Sequence, residues 1–312
     1  VFKTHNIVPS QSFTQANLIM FTLLVDYEDL VNDILAIKSP INIYSLLSID
    51  TFANKAKLFE ILSNGNNQYM HYLPETYILH NENSLLNLRK NFKQSQLYIL
   101  KKNIQRQKGC TITNNLNFIM GAKHKNYVVC QELLQNPYTI NGHKINIRQY
   151  LVVFVNNGQC TFKLFDDGFM YYTPKKFKMN SVDKDRHITT GYIDREIYTR
   201  NPMTFKDFKR TELTKKMLMT FEKNLLKLFK FVKKQYIPTV LSLDSNHHNN
   251  FAILGCDVAV CDDLECILIE INKGPDLSYK DIKDSAVKKT LVSSVLHDIG
   301  LINNPHNNLI YI

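Results

Sequence analysis

Asp257, Glu270 and Asn272 are residue types that can share a divalent cation, and their spacing can bring them together. They lie in FAILGCDVAVCDDLECILIEINKGPDL, which reads as two aliphatic runs, Phe251 to Cys261 and Cys266 to Asn272, joined by the polar turn Asp262-Asp263-Leu264-Glu265. A hairpin loop of two or four residues centred between Asp263 and Leu264 sets Asp257 opposite Glu270, and Gly255 opposite Asn272. Alternation then gathers Asp257, Glu270 and Asn272 on one face. Leu254, Cys256, Val258, Ile267, Ile269 and Ile271 share the other, the core face. Two carboxylates and an amide beside a glycine that leaves room for a ligand form the incomplete oxygen cage that Mg²⁺ takes when phosphates supply the rest. A merely solvated acidic face is the alternative, and the hairpin alone does not decide.

Three further stretches bear on that choice. In the alternating segment Lys144 to Tyr150, the residues Lys144, Asn146, Arg148 and Tyr150 share a face, with Ile145 and Ile147 on the other. Such a row faces either water or a polyanion, and an arginine in a cleft offers two parallel donors to a phosphate or acyl phosphate. In KKNIQRQKGCTI a strand gives way to a loop carrying Lys101, Lys102, Arg106 and Lys108, then Gly109. It is either a cover over a triphosphate or a plain basic loop, and the P-loop pattern is absent. Lys55, at the start of a helix, reads from sequence alone as an ordinary exposed lysine.

The elements that must position these residues follow from pattern. Helical spacing covers Ala16 to Ile37, Phe52 to Leu62, Asn81 to Gln94, Phe205 to Gln235 and Tyr279 to Ile299. Strands are expected at Pro74 to His80, Leu97 to Leu100, Tyr127 to Leu134, Lys144 to Phe154 and Gln159 to Tyr172. Strands dominate the middle and helices flank them, so the class is α+β and not a regular βαβ series. The helix Phe205 to Gln235 carries nine Lys or Arg between Lys209 and Lys234 against two Glu, a face that would suit an acidic polypeptide or simply water.

With 312 residues, 44% hydrophobic and 21% charged, the chain has the composition of a globular protein with a large core. Its formal charge of +10 calls for an acidic partner or a polyanionic ligand. No apolar run reaches the roughly 20 residues that cross a bilayer, so no membrane is expected. No compact recognition motif supports nucleic acid. Cysteines at 110, 130, 160, 256, 261 and 266 form no CxxC pair, which fits a reduced, cytoplasmic protein without zinc. His247-His248 reads as a solvated loop pair. The chain begins at Val1 and not at methionine, and removal of upstream sequence is expected.

The order of the motifs says more than any one of them. YILKKNIQRQKGCTI, VVCQELLQNP, GHKINIRQYLVV, HITTGYIDR and the Asp257 hairpin resemble, in that order, the tubulin-tyrosine ligase family, from about Asn54 to Asp298. The resemblance implies an ATP-grasp fold of antiparallel sheets flanked by helices. Its parts would be an N-terminal lobe (1–50), a central subdomain (51–135) and a C-terminal subdomain (136–312), with nucleotide held between the last two. It also implies ATP and Mg²⁺ as cofactors, a free amino acid as co-substrate and an acidic protein, such as a tubulin tail, as acceptor, with a monomeric enzyme forming an amide through an acyl phosphate.

Residue by residue, Lys101 matches the lysine of the family's W-(I/V)-x-K-P motif, with Tyr98 for the tryptophan and Lys102 for the proline. Lys108-Gly109 resembles the following basic-Gly step, and Gln131, Glu132 and Leu133, with Leu134, resemble the hinge at adenine. Lys144 and Arg148 match G-x-K-F-D-x-R, with Asn146 where Asp is usual. Asp257, Glu270 and Asn272 match the magnesium triad, with the interval of 13 between Asp and Glu kept, and Lys55 resembles an early ATP-contacting lysine. Arg148, Glu270 and Lys144 are the implied catalytic residues. Tyr171 stands where a substrate-recognising arginine is expected and Thr190 where H-L-T-N has Asn, which leaves the substrate open.

Overall fold

Strand alternation and two Asn-Gly turns build the frame that carries these residues. A computed structural model describes residues 1–12, 15–20, 32–33, 36–63, 71–104, 109–244, 246–303 and 307–312. Lys108 and most of the stretch 21–35 lie outside them. In chain order the strands are β1 (Leu18–Met20), β2 (Asn42–Tyr44), β3 (Thr76–Ile78), β4 (Tyr98–Lys101), β5 (Cys110–Thr113) and β6 (Val129–Glu132). They continue with β7 (Thr139–Ile140), β8 (His143–Asn156), β9 (Gln159–Tyr172), β10 (Asn249–Val260), β11 (Cys266–Lys273) and β12 (Leu309–Tyr311). The α-helices are α1 (Ile49–Ala53), α2 (Lys55–Leu62), α3 (Glu82–Asn91), α4 (Leu116–Met120), α5 (Phe205–Thr211), α6 (Lys215–Asp244) and α7 (Ile282–Asp298).

Eight strands form a mixed sheet in the order β1-β2-β10-β8-β9-β12, with β11 added to β10 and β7 to β8. β1, β2 and β10 pair in parallel, while β10, β8 and β9 are antiparallel. β8 and β9 turn at Asn157-Gly158, whose φ values of 47° and 71° suit a two-residue hairpin that Asn-Gly enters at little steric cost. The second sheet, β3-β6-β4-β5, is antiparallel and carries α3 and α4 through Leu85, Leu88 and Ile119.

Alternation gives the large sheet two different sides. Ile145, Ile147 and Leu151 of β8, with Leu254, Cys256 and Val258 of β10, face Phe221, Leu225, Leu228 and Val232 of α6. Each of these large side chains contributes about 2 kcal/mol by leaving water. Tyr150, Val152, Phe251 and Ile253 face the other way, against Val287, Leu291 and Val295 of α7. Lys144, Asn146, Arg148 and Asp257 share this second side by parity, so α6 lies behind the sheet from them.

Three local expectations change. Leu18–Met20 is a strand and not the start of a helix, because a short apolar run fits either and here it pairs with β2. The long cationic helix is two. Leu213 turns into the core between α5 and α6, Thr214 Oγ1 accepts from Met217 N at 3.4 Å, and α6 runs on past Pro238. His248 is buried and His247 Nε2 lies 2.8 Å from the Ile37 carbonyl, so this pair is not solvated. The six cysteines are free, and among the described residues no helix is long and apolar enough to cross a membrane.

Candidate active site

Asp257 pairs with Glu270 and Gly255 with Asn272, as expected, but by a different route. Val260 pairs with Cys266 and Cys261 N donates to Glu265 O at 2.9 Å, so the loop is odd-numbered, with Leu264 at φ 70°. An odd loop alone would slip the register by one residue. A bulge that leaves Ile269 between the Asp257–Glu270 and Val258–Leu268 pairs restores it. Between bulge and turn the faces therefore exchange: Cys266 and Leu268 enter the core, while Ile267 and Ile269 leave it. Ile269 lines the cleft instead.

β8 places Arg148 directly across from Asp257, where its Nε and Nη2 donate to the two carboxylate oxygens at 2.7 and 3.0 Å. Gly255 does leave room, but for Arg148: a Cβ there would lie 3.0 Å from Nη1. The Asn272 amide lies between the carboxylates, its Nδ2 3.4 Å from Asp257 Oδ2 and 3.2 Å from Glu270 Oε1. A half-turn of that amide exchanges nitrogen for oxygen, so two carboxylates and one amide oxygen can converge on a hard cation. Among the described residues no group of three His, Cys, Asp or Glu is placed to hold a metal ion by itself, so such a cation would need oxygens from its ligand.

Between the two sheets lies a slot of about 120 Å³ lined by Lys55, Lys101, Gln131, Glu132, Leu133, Lys144, Asn146, Asp257 and Glu270. Asn54 caps α2 and sets Lys55 on its first turn, with Nζ 3.7 Å from Glu270 Oε2. Lys101 ends β4 and Lys144 opens β8, and both are only 5% exposed. Burial, reinforced by the charge of Lys101, pushes Lys144 down to about 8, and burial likewise lowers Lys101. Burial would raise Glu270, but Lys55 and Lys101 outweigh it and hold the carboxyl at about 2. Asp257 is pushed up by burial, against the pull of Arg148.

Other groups complete the slot. Asn146 Oδ1 is buried with no partner among the described residues, an acceptor a ligand hydroxyl or amine can satisfy. Gln131 Nε2 donates to Thr76 Oγ1 at 2.9 Å, while Leu133 packs with Leu97, Ile99 and Ile112. Gly109 accepts from Lys102 N at 2.9 Å beyond the β4–β5 ladder and does not line the slot. His187 was not expected there. It is buried edge-on to Phe177 and held neutral, its value driven to about 4 by burial and by Lys144.

Past the carboxylates the slot opens into a wider cavity of about 470 Å³, where Arg148 and Asn272 are joined by Tyr150, Tyr171, Arg195 and Lys288. Tyr171 lies over the Arg148 guanidinium at 4.9 Å and rests on Gly191, where a Cβ would come within 2.8 Å of its ring. Thr190 Oγ1 is used locally, accepting from Tyr192 N at 3.0 Å. Arg195 pairs with Asp281 and Lys288 with Asp284.

The geometry is that of a cation-lined slot between two sheets, edged by carboxylates and opening into a second cavity. The model of the tubulin-tyrosine ligase family matches residues 47–308, and the chain belongs to that family. It is 26% identical over 190 residues to the probable tubulin polyglutamylase TTLL9 of Bos taurus, covering 57% of this chain and 39% of that protein. Against the probable beta-tubulin polyglutamylase of Tetrahymena thermophila the identity is 26% over 268 residues, covering 77% and 22%. Against tubulin glycylase 3B of Drosophila melanogaster it is 26% over 201 residues, covering 58% and 26%. The chain thus spans between about a fifth and two fifths of these relatives' length.

Proposed function

We propose that the chain is an ATP-dependent ligase of the ATP-grasp type that joins the amine of a free amino acid to a carboxylate of an acidic protein. One observation carries the reading: three lysines, two of them buried, converge with Asp257 and Glu270 in a slot between two sheets. Desolvated cations are costly unless an anion compensates them, and a triphosphate does so. The relatives are named for modifying tubulin, which supports tubulin tails as the acceptor. In this reading the nucleotide lies between a central subdomain (51–135) and a C-terminal one (136–312), beside an N-terminal lobe (1–50). The enzyme works as a cytoplasmic monomer.

Lys55 and Lys101 hold the phosphates. Gln131, Glu132, Leu133, Lys144 and Asn146 surround base and ribose. Mg²⁺, held by Asp257, Glu270 and Asn272, would draw negative charge off the phosphate oxygens. The acceptor carboxylate oxygen attacks the γ-phosphorus, the bond to the bridging oxygen breaks, and ADP leaves behind an acyl phosphate. Arg148 neutralises that acyl phosphate. The amine nitrogen then attacks the acyl carbon and expels phosphate, which takes the proton the amine loses.

A second reading, nucleotide binding without transfer, is favoured by Tyr171 closing over an Arg148 that already holds Asp257. Incubating the protein with ATP, Mg²⁺, a panel of amino acids and tubulin, then weighing the intact acceptor, separates the two. A mass increment that needs both ATP and Mg²⁺ is expected and names the amino acid. ATP binding with no increment for any amino acid would leave the second reading.

A further inference from the structure

The lysines of α6 are not spread around it. With 3.6 residues per turn, Lys216, Lys223, Lys227 and Lys230 fall within an arc of about 60° and run about 21 Å along the axis. All four are exposed, on the side away from the buried Phe221, Leu225, Leu228 and Val232. Between Lys215 and Leu243 the one acid is Glu222, which pairs with Lys209 at 3.4 Å. Among the described residues none of the four lysines has an acidic side chain within ion-pair distance. Lys223, Lys227 and Lys230 follow one another at four and three residues, where like charges repel. An ordinary solvated helix face interleaves acids at that spacing, and this one does not.

We propose that this stripe anchors an acidic polypeptide, resting on the ligase reading for the nature of that partner. It lies behind the large sheet from the slot, so it captures the partner without being the reaction groove. The step of about 6 Å from Lys223 to Lys227 is close to the roughly 6.6 Å between alternate side chains of an extended chain, so alternate carboxylates of such a chain can meet these two lysines. An anionic membrane fits poorly, because the apolar face of α6 is committed to the core. Nucleic acid fits poorly too, since the stripe has no arginine and no aromatic side chain to read or stack on bases.

The test is fluorescence anisotropy with a labelled ten-glutamate peptide, on the full chain, on the quadruple variant Lys216→Ser, Lys223→Ser, Lys227→Ser, Lys230→Ser, and on a second quadruple variant Lys216→Gln, Lys223→Gln, Lys227→Gln, Lys230→Gln. Binding should weaken about tenfold in both variants at 50 mM salt and differ by less than about twofold at 500 mM, because exposed charges are screened there. Equal affinity of variants and wild type at 50 mM salt would overturn the proposal. So would tighter wild-type binding of an oligonucleotide or phosphatidylserine vesicle that shows the same loss in the variants. ATP affinity, measured alongside, should be the same in all three proteins. Wild type that fails to bind ATP would sink the ligase reading, and the peptide titration would still judge the stripe.

Discussion

The slot and the wider cavity meet at Asp257 and Glu270, yet they treat charge in opposite ways. In the wider cavity four of the five lining cations are paired with carboxylates, Arg148 with Asp257, Arg195 with Asp281, Lys288 with Asp284 and Lys273 with Asp50, and the fifth, Lys280, donates to the Gly191 carbonyl at 3.3 Å. In the slot Lys101 and Lys144 are buried without an ion pair among the described residues, and Lys55 and Lys101 together lean on the single carboxylate of Glu270. A protein tolerates uncompensated buried charge where a ligand will supply the balance. In the ligase reading the slot is thus pre-charged for a polyanion, while the cavity is self-satisfied and a ligand there would compete with existing pairs.

Glu270→Gln should produce the largest effect. It removes the charge that both halves share, and turnover should fall by about a thousandfold while the far-ultraviolet circular dichroism stays that of wild type. Full activity in that variant would remove Glu270 from the chemistry. Arg148→Met attacks the self-satisfied side. It strands Asp257 in the sheet and should cost about 3 kcal/mol in urea unfolding. A cost near zero would mean that the pair does not support the fold.

Lys144→Met attacks the pre-charged side and should act in the opposite sense on stability. Removing an unpaired buried charge should stabilise the ligand-free protein by about 1 kcal/mol while weakening ATP about tenfold. The pH dependence follows from the same group. Its folded value of about 8 lies below the ordinary lysine value, so between about pH 8 and 10 the unfolded chain holds a proton that the folded chain sheds. Wild-type stability should therefore rise with pH across that window relative to Lys144→Met, and ATP affinity should fall as the charge is lost. Parallel stability curves for the two proteins would contradict the assignment.

How far the sequence foretells this arrangement depends on the range of the interaction. Strand periodicity is local, so the shared face of Lys144, Asn146 and Arg148 was legible, as was the Asp257–Glu270 pairing. That pairing came from two compensating features, an odd loop and a bulge at Ile269, and neither has a signature in a run of aliphatic residues. The Arg148–Asp257 bond was not legible, because it depends on β8 lying beside β10 across 109 residues. His187 opens the HITT stretch matched to H-L-T-N, but no local pattern says that its ring turns into the slot, which it joins through a connection outside both sheets. The break at Leu213 is invisible to a helical stripe in which that residue keeps its place. The residues matched to family motifs, Lys55, Lys101, Lys144, Asp257 and Glu270, come together in the slot. The motifs say less about the wider cavity, where Tyr171 and Thr190 depart from the pattern.

The most direct measurement is a calorimetric titration of ATP into wild type and Glu270→Gln, with and without Mg²⁺. If the slot holds Mg-ATP through the shared carboxylates, wild type binds ATP at least about tenfold more tightly with Mg²⁺ than without, and Glu270→Gln loses that difference. ATP binding that is indifferent to Mg²⁺ in wild type, or no binding at all, would contradict it.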